Sequence, residues 1–190
     1  MKILFKIIPA ILFLFISCQN NELDNKTAES LIVEKYNYPA KIDFEVFCND
    51  PVHAERMLET GLVGKGLVKV TKIGEFKERN KPLIEFTALS KPFLLETTSE
   101  EKEYSIQKVK IGTRKFDKII KVIPETKDRK IAVVEYNVRY DMNEFGELRP
   151  GLPAEKKEKA YFIFSDNGWE IIDKKDAELM MFKHYTKIDT

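Results

Sequence analysis

Cys48, Asp50 and His53 fall within a span of six residues, and they are the closest this chain comes to a set of reactive groups. A thiol beside an imidazole becomes a nucleophile when the ring takes its proton, and a carboxylate adds a third type of metal ligand. Each residue also has a simpler reading. Cys48 continues the apolar alternation of Ile42, Phe44 and Val46. Asp50 precedes Pro51 as a helix N-cap, and His53 sits in the first helical turn. The structural reading is preferred, because a lone buried Cys is common. The other His, His184, is far along the chain, and no His-x₃-His or Cys-x₂-Cys spacing exists. A closed zinc site takes about four ligands, so neither a metal nor a cofactor is expected.

Other chemistry is searched for in the same way. Gly61-Leu62-Val63-Gly64-Lys65-Gly66 has the glycines of a phosphate loop but lacks the Lys-Ser/Thr ending, and reads as a turn. No Gly-x-Ser-x-Gly elbow is present. Glu100 to Glu103 and Glu155 to Lys159 are charge runs of a solvated surface. No catalytic residue is assigned, and the chain reads as non-catalytic. A cell-wall hydrolase using one of the many carboxylates is the third-ranked reading. Recognition remains. Tyr36, Tyr38, Phe145, Trp169 and Tyr185 are candidates for an exposed aromatic surface, with Trp169 more simply a core residue. Met142 to Ala154 is long for a strand connection and rich in Gly and Pro, so Phe145 and Arg149 on it are the candidate partner-binding residues.

The elements that must position these residues follow from periodicity. A helix begins near Thr27, carries Leu31 and Ile32, and ends by Tyr38, ahead of Pro39. Ile42 to Cys48 alternates as a strand, and Asp50-Pro51 opens a helix with Met57, Leu58 and Leu62 facing the core. Gly66–Thr71 and Leu83–Phe86 read as strands joined by a turn over Glu78 to Pro82, and Thr87 caps a short helix running to Leu95. Phe116 to Ile123, Ala132 to Tyr140, Ala160 to Phe164 and Trp169 to Ile172 read as four strands. Asn167-Gly168 supplies the positive φ angles of a type I′ hairpin turn between the last two. Asp176 to Tyr185 closes the chain as a helix carrying Leu179, Met180 and Phe182.

The N-terminus bears on location. Lys2 and Lys6 precede an apolar run from Ile7 to Ile16, too short to span a bilayer and interrupted by Pro9, and Ser17 then precedes Cys18. This is the layout of a secretory leader. Phe15-Ile16-Ser17-Cys18 resembles the lipobox of bacterial lipoproteins, with Phe15 where Leu is usual. The resemblance implies cleavage before Cys18, acylation of Cys18 and a membrane link through that lipid. Gln19 in place of Asp implies the outer membrane rather than the inner one in a diderm cell. A second, looser resemblance covers residues 50–173. Gly61-Leu62-Val63, then Phe86-Thr87 with Phe93 downstream, is similar to the "GLL … YxLTxxGxxY" pattern of uncharacterised bacterial lipoproteins and periplasmic proteins with a winged-helix-like first part and a strand-rich second half. Ser90 stands where that pattern has glycine.

Removing residues 1–17 leaves 173 residues, enough for a real core, and takes the formal charge from +1 to −1. An exported, nearly neutral chain gives no footprint for nucleic acid, and Val52 to Glu59 carries more acid than base. With Cys18 acylated, Cys48 has no partner for an intramolecular disulfide. The sequence thus predicts a leader over 1–17, a lipidated tether over 18–26, and one α+β domain over 27–190. That domain has a helical, winged-helix-like lobe (27–103) and a four-stranded antiparallel meander (104–190). The expected function is a lipid-anchored envelope protein that binds a macromolecular partner. The alternative is a small-ligand binder using a concave face of the C-terminal sheet.

Overall fold

A computed structural model describes residues 22–71, 82–126, 128 and 130–186. The leader, Cys18 and most of the expected turn over 78–82 lie outside these residues.

The fold is α+β, and β4 (Ile106–Pro124) is its spine. Its first half pairs antiparallel with β1 (Ala40–Phe47), from Phe47 opposite Ile106 to Ala40 opposite Arg114. Its second half pairs on the other edge with β5 (Ile131–Met142), from Gly112 opposite Met142 to Pro124 opposite Ala132. The two pairings overlap only near Gly112. A Cβ there would lie 2.8 Å from both the Asp141 carbonyl and the Met142 sulfur, so the crossing of the two halves requires glycine. β6 (Glu155–Ser165) and β7 (Gly168–Ile172) extend the sheet, giving the order β1-β4-β5-β6-β7. The sheet therefore has five strands rather than the predicted four, because β1 joins from the N-terminal half.

Two cores form along the spine. The first surrounds Val109 and Ile111 and takes in Val46, Met57, Leu62, Val68, Ile84, Phe145 and Leu148. Its cover is α2 (Pro51–Glu59), the two-stranded pair β2 (Val68–Val70) and β3 (Ile84–Phe86), and 3₁₀ turns over Ala88–Phe93 and Glu144–Leu148. The second core is built on Ala132, Val134, Tyr136 and Val138 of β5 and on Ala160 and Phe162 of β6, and α1 (Asn25–Lys35) lies over it. The lobe boundary expected at 103/104 does not follow the cores: α1 packs on the C-terminal strands, and the 144–148 turn enters the first core.

Local chemistry explains the ends. Asp24, not Thr27, caps α1; its carboxylate accepts from Thr27 N at 2.9 Å and Thr27 Oγ1 at 2.8 Å. Leu23 just before the cap and Ala28 one turn later are buried in the same core, as in a hydrophobic staple, so the expected tether gives way to the folded body by residue 23. Asp50 caps α2 from Val52 N at 2.7 Å, with Pro51 in the first turn. Leu58 is exposed, correcting its expected core role. Ala54 and Met57 hold the inward stripe, and Leu58 lies about 100° further round the helix. At the last hairpin Ser165 pairs with Gly168, so Asp166 and Asn167 are the loop. Gly168 has φ +100°, while among the described non-glycine residues only Asn37 and Ser105 have positive φ. The turn is therefore not the predicted type I′ pair; glycine takes the left-handed position that follows the two loop residues.

Candidate functional site

The 142–154 connection is held from behind. Asn143 Nδ2 donates to the Lys110 carbonyl at 2.7 Å, and its side-chain oxygen accepts from Phe145 N at 2.9 Å. Phe145 is fully buried, with ring centroids 6.2 Å from Phe86 and 5.4 Å from Phe93, and Leu148 is buried one turn later. Phe145 therefore anchors the loop to the core and presents no surface to a partner, correcting its assignment. The sequence carried a signal for this: two apolar residues three apart mark one turn with a buried side.

Pinning the back of the loop sets its front. Glu147, Arg149 and Pro150 are exposed and face Arg56, Glu59 and Thr60 of α2 and its C-cap, with Phe44 of β1 and Leu148 as apolar wall. The cleft between them has a volume of about 580 Å³. The Arg56 guanidinium lies 5.8 Å from the centre of the Phe44 ring, a cation–π contact that holds its stem. Among the described residues, neither Arg56 nor Arg149 has a carboxylate within 4.0 Å. A guanidinium offers a planar fork of donors suited to carboxylate or phosphate. Arg149 was legible as a residue of a long loop. Arg56 was not, since only the packing of α2 against the loop brings it there.

The residues singled out for reactivity do not form a dyad. Cys48 is buried, its sulfur 3.7 Å from the Val46 carbonyl, and burial raises its thiol above the ordinary range. His53 Nδ1 accepts from Phe47 N at 3.2 Å, and its ring lies between Phe44 and Phe47 at 5.8 and 5.2 Å. Burial lowers its pKa; Asp50 opposes this and Arg56 adds to it. Asp50 is occupied by the α2 cap. Among the described residues, no three His, Cys, Asp or Glu side chains gather as a metal site would need.

The other aromatics divide. Tyr185 is exposed and donates to the Glu125 carbonyl at 2.6 Å, whereas Tyr38 is buried beneath the Arg114 guanidinium, 5.2 Å from its ring centre. Tyr36 stacks 6.5 Å from Tyr136. Trp169 is half-buried against Phe164 at 5.4 Å. The core-side face of the C-terminal sheet is covered by α1. The opposite face carries paired charges along part of its length, with Lys115–Asp141 at 2.6 Å and Lys159–Glu135 at 3.1 Å, and then Val133, Ile131 and Ile163.

No family model matches this chain, and no curated protein or solved structure matches it. No described helix is long and apolar enough to cross a membrane.

Proposed function

We propose that this chain is a lipid-anchored envelope protein that captures a macromolecular partner, without catalysing a reaction, at the cleft between α2 and the 142–154 connection. The anchor rests on the Phe15-Ile16-Ser17-Cys18 pattern. The observation that carries the binding reading is the convergence of Arg56 and Arg149 from segments about a hundred residues apart, each without a carboxylate within 4.0 Å among the described residues although Glu59 and Glu147 line the same cleft, on a wall of Phe44, Leu148 and Pro150. Such a surface suits an acidic stretch of a partner protein whose carboxylates reach the two guanidiniums and whose apolar residues cover the wall. Arg149 is exposed, and among the described residues its side chain makes no hydrogen bond or ion pair, so changing it tests recognition apart from folding.

Crosslinking in intact cells, followed by identification of what is captured, is the measurement. Arg149→Glu should reduce capture at least tenfold while leaving the thermal midpoint within about 2 °C, the effect of a surface change under 0.5 kcal/mol. Undiminished capture by the Arg149→Glu, Arg56→Glu double variant puts the binding surface elsewhere. Shortening the loop is a poor test, since it also withdraws Phe145 and Leu148 from the core.

A further inference from the structure

A second recess lies beyond the other end of β4, under the C-terminal helix. α4 (Lys174–Thr186) buries Ala177 and is fastened at its end by the Tyr185 hydroxyl on the Glu125 carbonyl at 2.6 Å. Ile131 and Ile163 are cross-strand partners on β5 and β6 and with Met180 they make an apolar floor, while the next residue, Phe164, turns its ring to the other face of the sheet against Trp169. Lys130, Lys183 and His184 line the same recess, together with Thr126 and Asp128, around a volume of about 280 Å³.

The polar rim is unevenly satisfied. Asp128 is used by its own turn: its carboxylate accepts from Lys130 N at 3.2 Å and from the Thr126 side chain, and these bonds hold its pKa below the ordinary range. Lys130 and Lys183 have no carboxylate within 4.0 Å among the described residues. His184 Nε2 is buried and has no hydrogen-bond partner among the described residues. A buried ring nitrogen is ordinarily paired, and the apolar floor offers it nothing. Asp128 also acts electrostatically on Lys130 and His184, which leaves the Lys183 ammonium and the imidazole nitrogen, neither hydrogen-bonded among the described residues, above a floor of aliphatic carbon: a setting for a ligand with an anionic head and an apolar body.

We propose that this recess binds an anionic amphiphile, a medium-chain fatty carboxylate. The carboxylate accepts from His184 Nε2 and Lys183, with Lys130 at the rim, and the chain lies on Ile131, Ile163 and Met180. The volume is near the lower limit of small-molecule sites, about 300 Å³, which favours a medium chain over a whole lipid. This site is separate from the arginine cleft and does not rest on the function proposed for it.

Trp169 packs on the α1 side of the sheet, away from the recess, so the reporter is Met180→Trp in a Trp169→Phe background, and the variants named below are made in that background. The full chain in lipid nanodiscs is titrated with 10-bromodecanoate, whose terminal bromine quenches indole fluorescence, and empty nanodiscs give the blank for uptake into lipid. The expected result is saturable quenching whose half-saturation rises at least tenfold in Lys183→Glu and in His184→Phe. The neutral 10-bromodecanol should give no saturable quenching. Equal half-saturation for acid and alcohol overturns the claim that the head is recognised. Unchanged quenching in both variants overturns the site. Circular dichroism checks each variant's fold. Lys183 is exposed and has no ion-pair partner among the described residues, so Lys183→Glu carries the test should His184→Phe unfold.

Discussion

The two cores share β4 but are assembled in opposite ways. The second is regular: α1 lies on long strands whose alternate residues Ala132, Val134, Tyr136 and Val138 all face it. The first is a mosaic of short pieces, none of which could bury its apolar side alone. β2 and β3 have three residues each, α2 has nine, and Phe145 and Leu148 arrive from a connection on the far side of β5. Packing among short pieces needs a rigid template, and the first half of β4 provides it through Val109 and Ile111. The difference bears on where the proposed recognition surface lies. Loops are fastened where the mosaic is, so the arginine cleft opens at the edge of the first core, while one face of the regular half is covered by α1 and the other by paired charges and, at its end, by α4.

The largest test of this contrast removes a keystone. Phe145→Ala should cost about 3–5 kcal/mol, as truncation of a fully buried aromatic does, and should weaken partner capture as well, because Arg149 loses its support. Phe162→Ala in the second core should cost a similar amount without changing capture per folded molecule. Chemical denaturation gives the first quantity and crosslinking the second. Equal loss of capture in both variants, at matched folded fraction, would show that the cleft is not fastened by the mosaic.

A smaller effect is expected at the hairpin of the regular half. Gly168 has φ +100°, and a Cβ there would meet nothing within 4 Å, so any cost comes from the backbone alone. Gly168→Val should destabilise by about 1–2 kcal/mol, since a branched side chain resists that region. An unchanged denaturation midpoint would mean that the Ser165–Gly168 register is wrong.

The regular half was the legible half. Strict alternation from Ala132 to Tyr140 states a strand and its faces in one reading, and Asp50-Pro51 states a helix start, because both signals are carried by neighbours in sequence. What escaped depends on partners distant in sequence. Nothing near Ile42 to Phe47 says that its mate is Ile106 to Arg114, so β1 was read apart from the sheet. Phe145 lies in a stretch whose Gly and Pro signal a surface loop, and its burial follows from Phe86 and Phe93, some fifty to sixty residues earlier. Asn167-Gly168 was a sound turn signal displaced by one residue, a slip that only cross-strand pairing resolves. Of the candidate cleft, Arg149 was visible and Arg56 was not, for the same reason.

The smallest effect concerns pH and the wall of the first core. The neutral His53 ring accepts from Phe47 N and stacks between Phe44 and Phe47, so protonation must give up that hydrogen bond. Burial, opposed by Asp50 and aided by Arg56, holds its pKa in the folded chain below the value of about 6.5 that it has when unfolded. As pH falls through about 6.5 the unfolded chain takes up a proton that the folded chain does not, and stability declines; the decline stops once the folded ring is also protonated. Asp24, Glu101, Glu135 and Asp141 have lowered pKa values, so their contributions are lost only in the more acidic range below their unfolded values near 4. The interval between about pH 6.5 and 5 thus isolates the imidazole from these carboxylates. The denaturation midpoint should fall across that interval in the native chain and fall less in His53→Gln, whose amide oxygen can accept from Phe47 N without titrating. Equal slopes in the two proteins would remove His53 from the account and assign the whole decline to other groups.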